Sequence, residues 1–214
     1  AQMKRALIIS VLLTLLSGIG LIAVACDTPQ DVLGFVLLGL LSIAAAITYT
    51  VGSKPYGYRG LGDISVLTFF GWISVAGTYY LQTHRLDGVV FLPATACGLL
   101  AAAVLNINNL RDIDSDSANG KNTLAVRLGA RKGRYYHAML LAGAVLCFTL
   151  FALLYLHSPW GWLFVLALPV LLRHGRFVVR EQQASAMRPM LEQMVKAALL
   201  TNVLFALGVV LSIS

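Results

Sequence analysis

The chain has 214 residues, 58% of them hydrophobic and 12% charged, with a formal net charge of +7 and a mean hydropathy of +0.80. So little charge cannot cover the surface of a soluble domain, which excludes the ordinary globular class. A helix needs about 20 apolar residues to cross a bilayer. Runs of that order begin near Ala6, Val32, Ile64, Val89, Tyr136, Trp160 and Lys196, the sixth being the shortest. In lipid the backbone must satisfy its own hydrogen bonds, so these runs are helices. The alternating pattern of a membrane barrel is absent. The expected fold is an all-α, multi-pass transmembrane helical bundle with seven spans here. Lys4 and Arg5 precede the first run as they would in a signal peptide, but the run from Ala6 to Ala25 exceeds a usual signal core and further spans follow. Residues 1–214 read as a single transmembrane domain, and the opening at Ala1 suggests that it is N-terminally incomplete. Cys26, Cys97 and Cys147 share no close spacing and read as small packing residues.

Of the sixteen Lys and Arg residues, fifteen fall at one set of span ends and Arg85 alone at the other. The positive-inside rule puts the basic set in the cytoplasm, the N-terminus inside and Ser214 outside. Trp160, Trp162, Tyr79 and Tyr80 fall near the outer ends, where aromatic belts sit. The basic loops set topology and meet anionic lipid; no nucleic acid is called for. The outer loops are only a few residues long, whereas the inner connection between spans four and five reaches about 25 residues. A site therefore belongs on the cytoplasmic face.

Span four runs out of the membrane as Asn106-Ile-Asn-Asn-Leu-Arg-Asp-Ile-Asp-Ser-Asp. If the helix persists, Asn108, Asp112 and Asp116 stack along one stripe, while Asp114 points elsewhere. Two carboxylates at that spacing repel unless a cation lies between them. Hard oxygen ligands of this kind suit Mg²⁺, which combines a few carboxylates with substrate phosphates. Gly120 can end the helix, after which Lys121, Thr123 and Arg127 offer charge and hydroxyl to an anion. Carboxylates for Mg²⁺ beside basic residues for phosphate make up a diphosphate site; a plain charged interhelical loop is the alternative.

The loop from Tyr49 to Asp63 is rich in Gly and Pro and carries Lys54 and Arg59, both suited to phosphate. The faces of Tyr49 and Tyr58 suit a cationic intermediate. Asp63 opens span three, where a carboxylate is favoured by the helix dipole in any case. A capping role and a catalytic one are both open to it.

At these residues the chain resembles the UbiA superfamily of intramembrane aromatic prenyltransferases, and within it the 1,4-dihydroxy-2-naphthoate polyprenyltransferases of menaquinone biosynthesis. The resemblance runs through Ala45–Thr50, Pro55–Tyr58, Gly62–Leu67, Phe70-Gly71, Asn106–Asp112 and Gly120–Gly129, and on to Ala186–Met190 and the last span. It implies nine transmembrane helices in the intact family, the seven spans here being the third to ninth. It also implies two aspartate-rich motifs. Asn108, Arg111, Asp112 and Asp116 match the second; the first has no counterpart here and would belong just before Ala1. Tyr49 and Lys54 are five residues apart, where many members have four.

The resemblance implies Mg²⁺-dependent transfer of a polyprenyl group from polyprenyl diphosphate to 1,4-dihydroxy-2-naphthoate, with loss of CO₂, to give demethylmenaquinone. Asn108, Asp112 and Asp116 would hold the metal. Arg111, Lys121, Thr123, Arg127, Arg59 and Tyr58 would bind the diphosphate, with Lys54, Tyr49 and Asp63 joining the two aspartates in catalysis. The lipid bilayer is the other partner, and a bacterial inner membrane the expected location. A 4-hydroxybenzoate-type acceptor and an inactive truncated chain are the alternatives within the family. A transporter would carry ionisable residues near the bilayer midplane, and the span centres here are nearly free of charge. A CDP-alcohol phosphotransferase would need an Asp-Gly-x-x-Ala-Arg stretch, which is absent.

Overall fold

The apolar runs fold as seven membrane-length helices in a computed structural model that describes residues 2–53 and 55–213. They are α1 (Gln2–Ala25), α2 (Pro29–Thr50), α3 (Gly62–Thr83), α4 (Gly88–Arg111), α6 (Leu124–Tyr155), α7 (Pro159–Arg180) and α8 (Met187–Ile213). A short eighth helix, α5 (Ile113–Ala118), lies between α4 and α6. No strand occurs among the described residues. The spans alternate along the chain, and contacts bring the ends that carry Arg59, Lys121, Arg127 and Arg180 to one side of the bundle, its basic end.

Two expectations about span limits need correction. The connection between spans four and five is not a loop of about 25 residues. α5 fills part of it, and α6 starts at Leu124, well before Tyr136. The helical segment before Gly129 buries Ala125, the backbone breaks at Gly129 with φ +74° and ψ 160°, and the helix resumes to bury Gly133 and Arg134. The sixth span is as long as the second and third, 22 residues each. Its buried face continues through Leu171, Gly175 and Val178, past the first arginine that interrupts the apolar run.

The core is built on α4, which buries Ala94, Ala96, Leu100, Ala102, Ala103, Ile107 and Leu110 against α3, α6 and α8. Small residues let the backbones approach closely, which drives helix association in lipid. At Gly71 of α3 an added Cβ would fall 2.6 Å from the Ala94 carbonyl oxygen of α4. The α3 segment Leu67–Ala76 around this contact is π-helical. Away from the basic end, Phe148, Phe164 and Phe205 join α6, α7 and α8, with the Phe148 and Phe205 rings 4.3 Å apart. Trp160 is exposed there, while Trp162 is half-buried beside Phe164. The Tyr80 hydroxyl donates to Asp31 of α2 and that of Tyr79 to Asp87, each at 2.5 Å. α2 buries no side chain, and no described side chain of α1 is buried.

Candidate active site

The stripe of Asn108, Asp112 and Asp116 forms on two helices rather than one. α4 ends at Arg111, and Asp112 sits at the joint with φ −99° and ψ 11°. The bend does not break the ladder: the Asp112 amide donates to Asn108 at 3.1 Å and the Asp116 amide to Asp112 at 2.8 Å. α5 then stops at Gly120, whose φ of +69° is the left-handed conformation that favours glycine. The Gly120 amide donates to Ser117 and the Lys121 amide to Asp116, the crossed pair of a Schellman motif. This turn carries Lys121 back over the acids.

Each carboxylate meets a cation. Arg111 grips Asp112 through two bonds, Nε to Oδ1 at 2.7 Å and Nη2 to Oδ2 at 2.5 Å. Lys121 Nζ lies 3.2 Å from Asp116. The Arg111 guanidinium, aided by Lys121 and Arg188, holds the Asp112 carboxyl below its ordinary range, so it is ionised at neutral pH. Asp116 is buried, whereas Asp114 is exposed and points away. Asn108 is half-buried on the same stripe.

The second basic-end loop docks on this turn. The Asn122 amide donates to the Tyr58 carbonyl at 3.0 Å, and Lys121 Nζ stands 5.9 Å from the centre of the Tyr58 ring. The Arg127 side chain runs beside Gly60, where an added Cβ would come within 3.0 Å of its Nε. Tyr58, Arg59, Lys121 and Arg127 thus share one end of the bundle, and Arg59 and Arg127 are exposed. Tyr49 closes the inner side of the loop. Its ring meets Tyr56 edge-on at 5.3 Å and leaves no room for a Cβ at Gly57 or Gly62. Thr123 is buried, and its Oγ1 caps α6 by accepting from the Val126 amide at 3.4 Å, which uses the oxygen as acceptor and leaves the O–H as a donor. Lys54, expected to bind phosphate, lies outside the described residues.

Asp63 is 5% exposed, and the hydroxyl of Tyr136 on α6 stands beside its carboxylate, off the geometry of a good hydrogen bond. Asn106 of α4 has both side-chain polar atoms buried and unpartnered. The two sit at similar depth, since Leu105 of α4 packs on Gly62 of α3. Buried polar atoms without partners are costly and rare, and a catalytic role is one of the reasons for which they are kept. Asn106 and Arg188 went unnoticed as site residues in the sequence. An amide in an apolar helix signals Asn106, but nothing local points to Arg188, which comes from α8.

These donors can be tested against a metal ion. No three His, Cys, Asp or Glu side chains converge among the described residues, so the chain's acids do not form a closed cage. A Mg²⁺ site does not require one, because that ion takes one or two carboxylates and completes its shell with water and phosphate oxygens. Asp112 and Asp116, both hard carboxylate donors on one stripe and each held by a single cation that a phosphate could take over, fit that role.

Residues 2–200 match the UbiA prenyltransferase family. The chain is 65% identical over 211 residues to the 1,4-dihydroxy-2-naphthoate octaprenyltransferase of Escherichia coli, covering 99% of this chain and 68% of that protein. It is 56% identical over 210 residues to the protein of the same name from Haemophilus influenzae, covering 98% of this chain and 68% of that one. A UbiA prenyltransferase domain-containing protein 1 homolog of Drosophila melanogaster is 35% identical over 71% of this chain and 41% of its own length. No solved structure matches significantly. A bundle of seven membrane-length helices, an acid–base turn at one end and these matches along nearly its whole length agree: the chain belongs to the UbiA prenyltransferase family.

Proposed function

We propose that this chain transfers a polyprenyl group, octaprenyl by analogy with its relatives, from its diphosphate to 1,4-dihydroxy-2-naphthoate. The aromatic ring replaces its carboxylate, lost as CO₂, by the prenyl group, giving the reduced form of demethylmenaquinone. The observation that carries this reading is the 65% identity, across 99% of the chain, to a protein named for that reaction. The membrane-edge site adds a chemical reason, since the donor has an ionic head and a lipid tail.

In this reading Lys121, Arg127, Arg111 and Arg59 bind and orient the diphosphate, and Asp112, Asp116 and Asn108 hold Mg²⁺ against it. The ion supplies positive charge that stabilises the departing diphosphate. Lys121 and Arg111 already neutralise the two acids, so a diphosphate can take up these cations as the acids turn to the ion. No unpaired charge is left behind in the exchange. Tyr49 and Tyr58 present ring faces suited to the allylic cation that forms as the bond to diphosphate breaks. The helices exclude water, which would otherwise capture that cation. Asp63, buried beside the Tyr136 hydroxyl, can accept a hydrogen bond from a phenolic substrate as well. Lys54, in the same Tyr49–Asp63 stretch of sequence, is a further candidate for the diphosphate. The basic end faces the cytoplasm of a bacterial inner membrane, following the charge asymmetry.

The test is direct. Membranes containing the chain are supplied with labelled octaprenyl diphosphate, Mg²⁺ and 1,4-dihydroxy-2-naphthoate. A Mg²⁺-dependent prenylated naphthoquinone is expected. Transfer to 4-hydroxybenzoate in place of the naphthoate would overturn the acceptor, and no transfer to either would overturn the activity.

A further inference from the structure

Away from the site, α7 carries a second organised feature. Its last 13 residues bury Leu171, His174, Gly175 and Val178 toward the bundle. The outward side carries Arg173, Arg176 and Arg180, all exposed and none in an ion pair among the described residues. Between α6 and α7 runs a cavity of about 620 Å³ lined by Leu141, Val145, Leu168, Leu171, Arg176 and Arg180. Its rim residues Leu146 and Leu172 are each 56% exposed, so it opens toward the lipid. A second hollow of about 750 Å³ adjoins the same ridge and shares Leu172, Arg176 and Arg180 with the first, adding Arg173 and Phe177. Glu181 borders this second hollow, but its Oε1 accepts from the Gln182 and Gln183 amides at 2.8 and 2.9 Å.

The chemistry of this place is one-sided. It is apolar along the helices and cationic where α7 reaches the basic end. A lone arginine near a helix end snorkels to water and needs no ligand. Here three arginines share one face over about 10 Å of helix, at 1.5 Å per residue. That span covers the roughly 5–7.5 Å headgroup layer of one leaflet and reaches a little beyond it. The groove volume falls within the roughly 300–1,000 Å³ of small-molecule sites. Basic pockets between transmembrane helices suit anionic headgroups in this way.

The floor is fixed independently of any occupant. His137 of α6 and His174 of α7 meet Nε2 to Nε2 at 3.2 Å behind the groove wall. Leu141 packs where a side chain at Gly175 would stand, with its Cδ1 3.2 Å from the Cβ position. Arg134 of α6 donates to the Gln182 carbonyl just past α7 at 2.7 Å.

We propose that the α6–α7 groove binds an anionic phospholipid from the leaflet at the basic end. One acyl chain lies along Leu141, Val145 and Leu168, and the phosphate sits on Arg173, Arg176 and Arg180. The site is separate from the diphosphate turn formed by Asp112–Arg127 and does not depend on the reaction assigned to it.

Native mass spectrometry of the full chain, titrated with dioleoyl-phosphatidylglycerol or dioleoyl-phosphatidylcholine, tests this. The acyl chains are identical, so only the headgroup differs. One saturable phosphatidylglycerol adduct is expected, with roughly ten-fold or greater preference over phosphatidylcholine. The triple variant Arg173→Gln, Arg176→Gln, Arg180→Gln should bring the two lipids level, whereas Arg131→Gln with Lys132→Gln should not. Ala142→Trp, which fills the exposed side of the groove and leaves every arginine in place, should also remove the adduct. It serves as the second arm if the triple variant does not fold. The proposal fails if the triple variant keeps its preference, or if Arg131→Gln with Lys132→Gln abolishes it equally. It also fails if farnesyl diphosphate displaces the phosphatidylglycerol, which would make the groove a donor site.

Discussion

Replacing Asp116 by Asn separates the chemical role of this residue from its structural one. The side chains are nearly isosteric, and an amide oxygen can still accept from Lys121 Nζ, now 3.2 Å away. What disappears is one negative charge. The Lys121 side chain is 28% exposed, so it rehydrates when its partner is neutralised. The cost in stability is then that of a partly exposed ion pair, about 1 kcal/mol, or a fall in Tm of about 2–4 °C for a domain of this size. Turnover responds on a different scale. Loss of one preorganised charged group at a site of developing charge costs about 10²–10³ in kcat. The assay is single-turnover transfer from labelled octaprenyl diphosphate at a series of Mg²⁺ concentrations, beside a melting curve in detergent. A small Tm change with a loss of two orders of magnitude, and a rightward shift in Mg²⁺ dependence, are expected. Wild-type turnover at every Mg²⁺ concentration would refute the role given to Asp116.

Asp112→Ala removes a proposed ligand and strands Arg111, so activity should fall by about 10² or more in the same transfer assay. Gly129 has φ +74° and ψ 160° inside α6, a conformation that only glycine adopts readily, and no atom crowds it. Gly129→Ala should therefore destabilise through backbone strain alone, by about 1–3 kcal/mol, read as a lower midpoint in chemical denaturation. Gly71→Ala drives a methyl toward the Ala94 carbonyl and should cost about 1–3 kcal/mol through overpacking, measured the same way. His137→Leu alone leaves the buried Nε2 of His174 without a partner, at about 1–3 kcal/mol, whereas the double change to Leu should recover most of it. A double-mutant cycle with no recovery would show that the pair does not interact as a unit.

The membrane architecture was legible because lipid enforces it. Length and hydropathy alone find all seven spans, since an unpaired backbone has no alternative in hydrocarbon. What the sequence hid lies where that constraint lapses. At the basic end water competes for the backbone, so polar sequence from Ile113 to Tyr135 could be coil or helix, and it alternates between the two, with turns at Gly120 and Gly129. The acidic stripe was readable as an i, i+4 pattern, but the bend at Asp112 was not, because no proline or glycine marks it. Thr123 carried two meanings in the sequence, phosphate contact and helix cap, and the bond from the amide of Val126 three residues on displays the second without excluding the first. The contacts of Tyr58 with Lys121 and of Gly60 with Arg127 are made across more than 60 residues of chain, and no local pattern encodes them.

The layout also explains why an enzyme of this kind keeps its acids bound to cations at rest. A carboxylate pair at a membrane edge is unstable as bare charge, because low dielectric strengthens its repulsion and the interface solvates it poorly. One remedy is protonation, but a protonated acid holds a divalent cation weakly. The other is a cation within reach, supplied here by Arg111 on Asp112 and Lys121 on Asp116. A Mg²⁺–diphosphate ligand would offer both acids a metal and both cations a phosphate, so two existing ion pairs would be exchanged for four new contacts with every charge still matched. Such an exchange favours the complete ligand over either part. Diphosphate alone would strip the cations from the acids, and Mg²⁺ alone would leave the cations facing each other. The expected consequence is cooperative binding: the apparent affinity for a soluble diphosphate such as farnesyl diphosphate should rise at least ten-fold with saturating Mg²⁺, and this gain should vanish in Asp116→Asn. Equal affinity with and without Mg²⁺ in the unaltered chain would show that the acids and cations act independently.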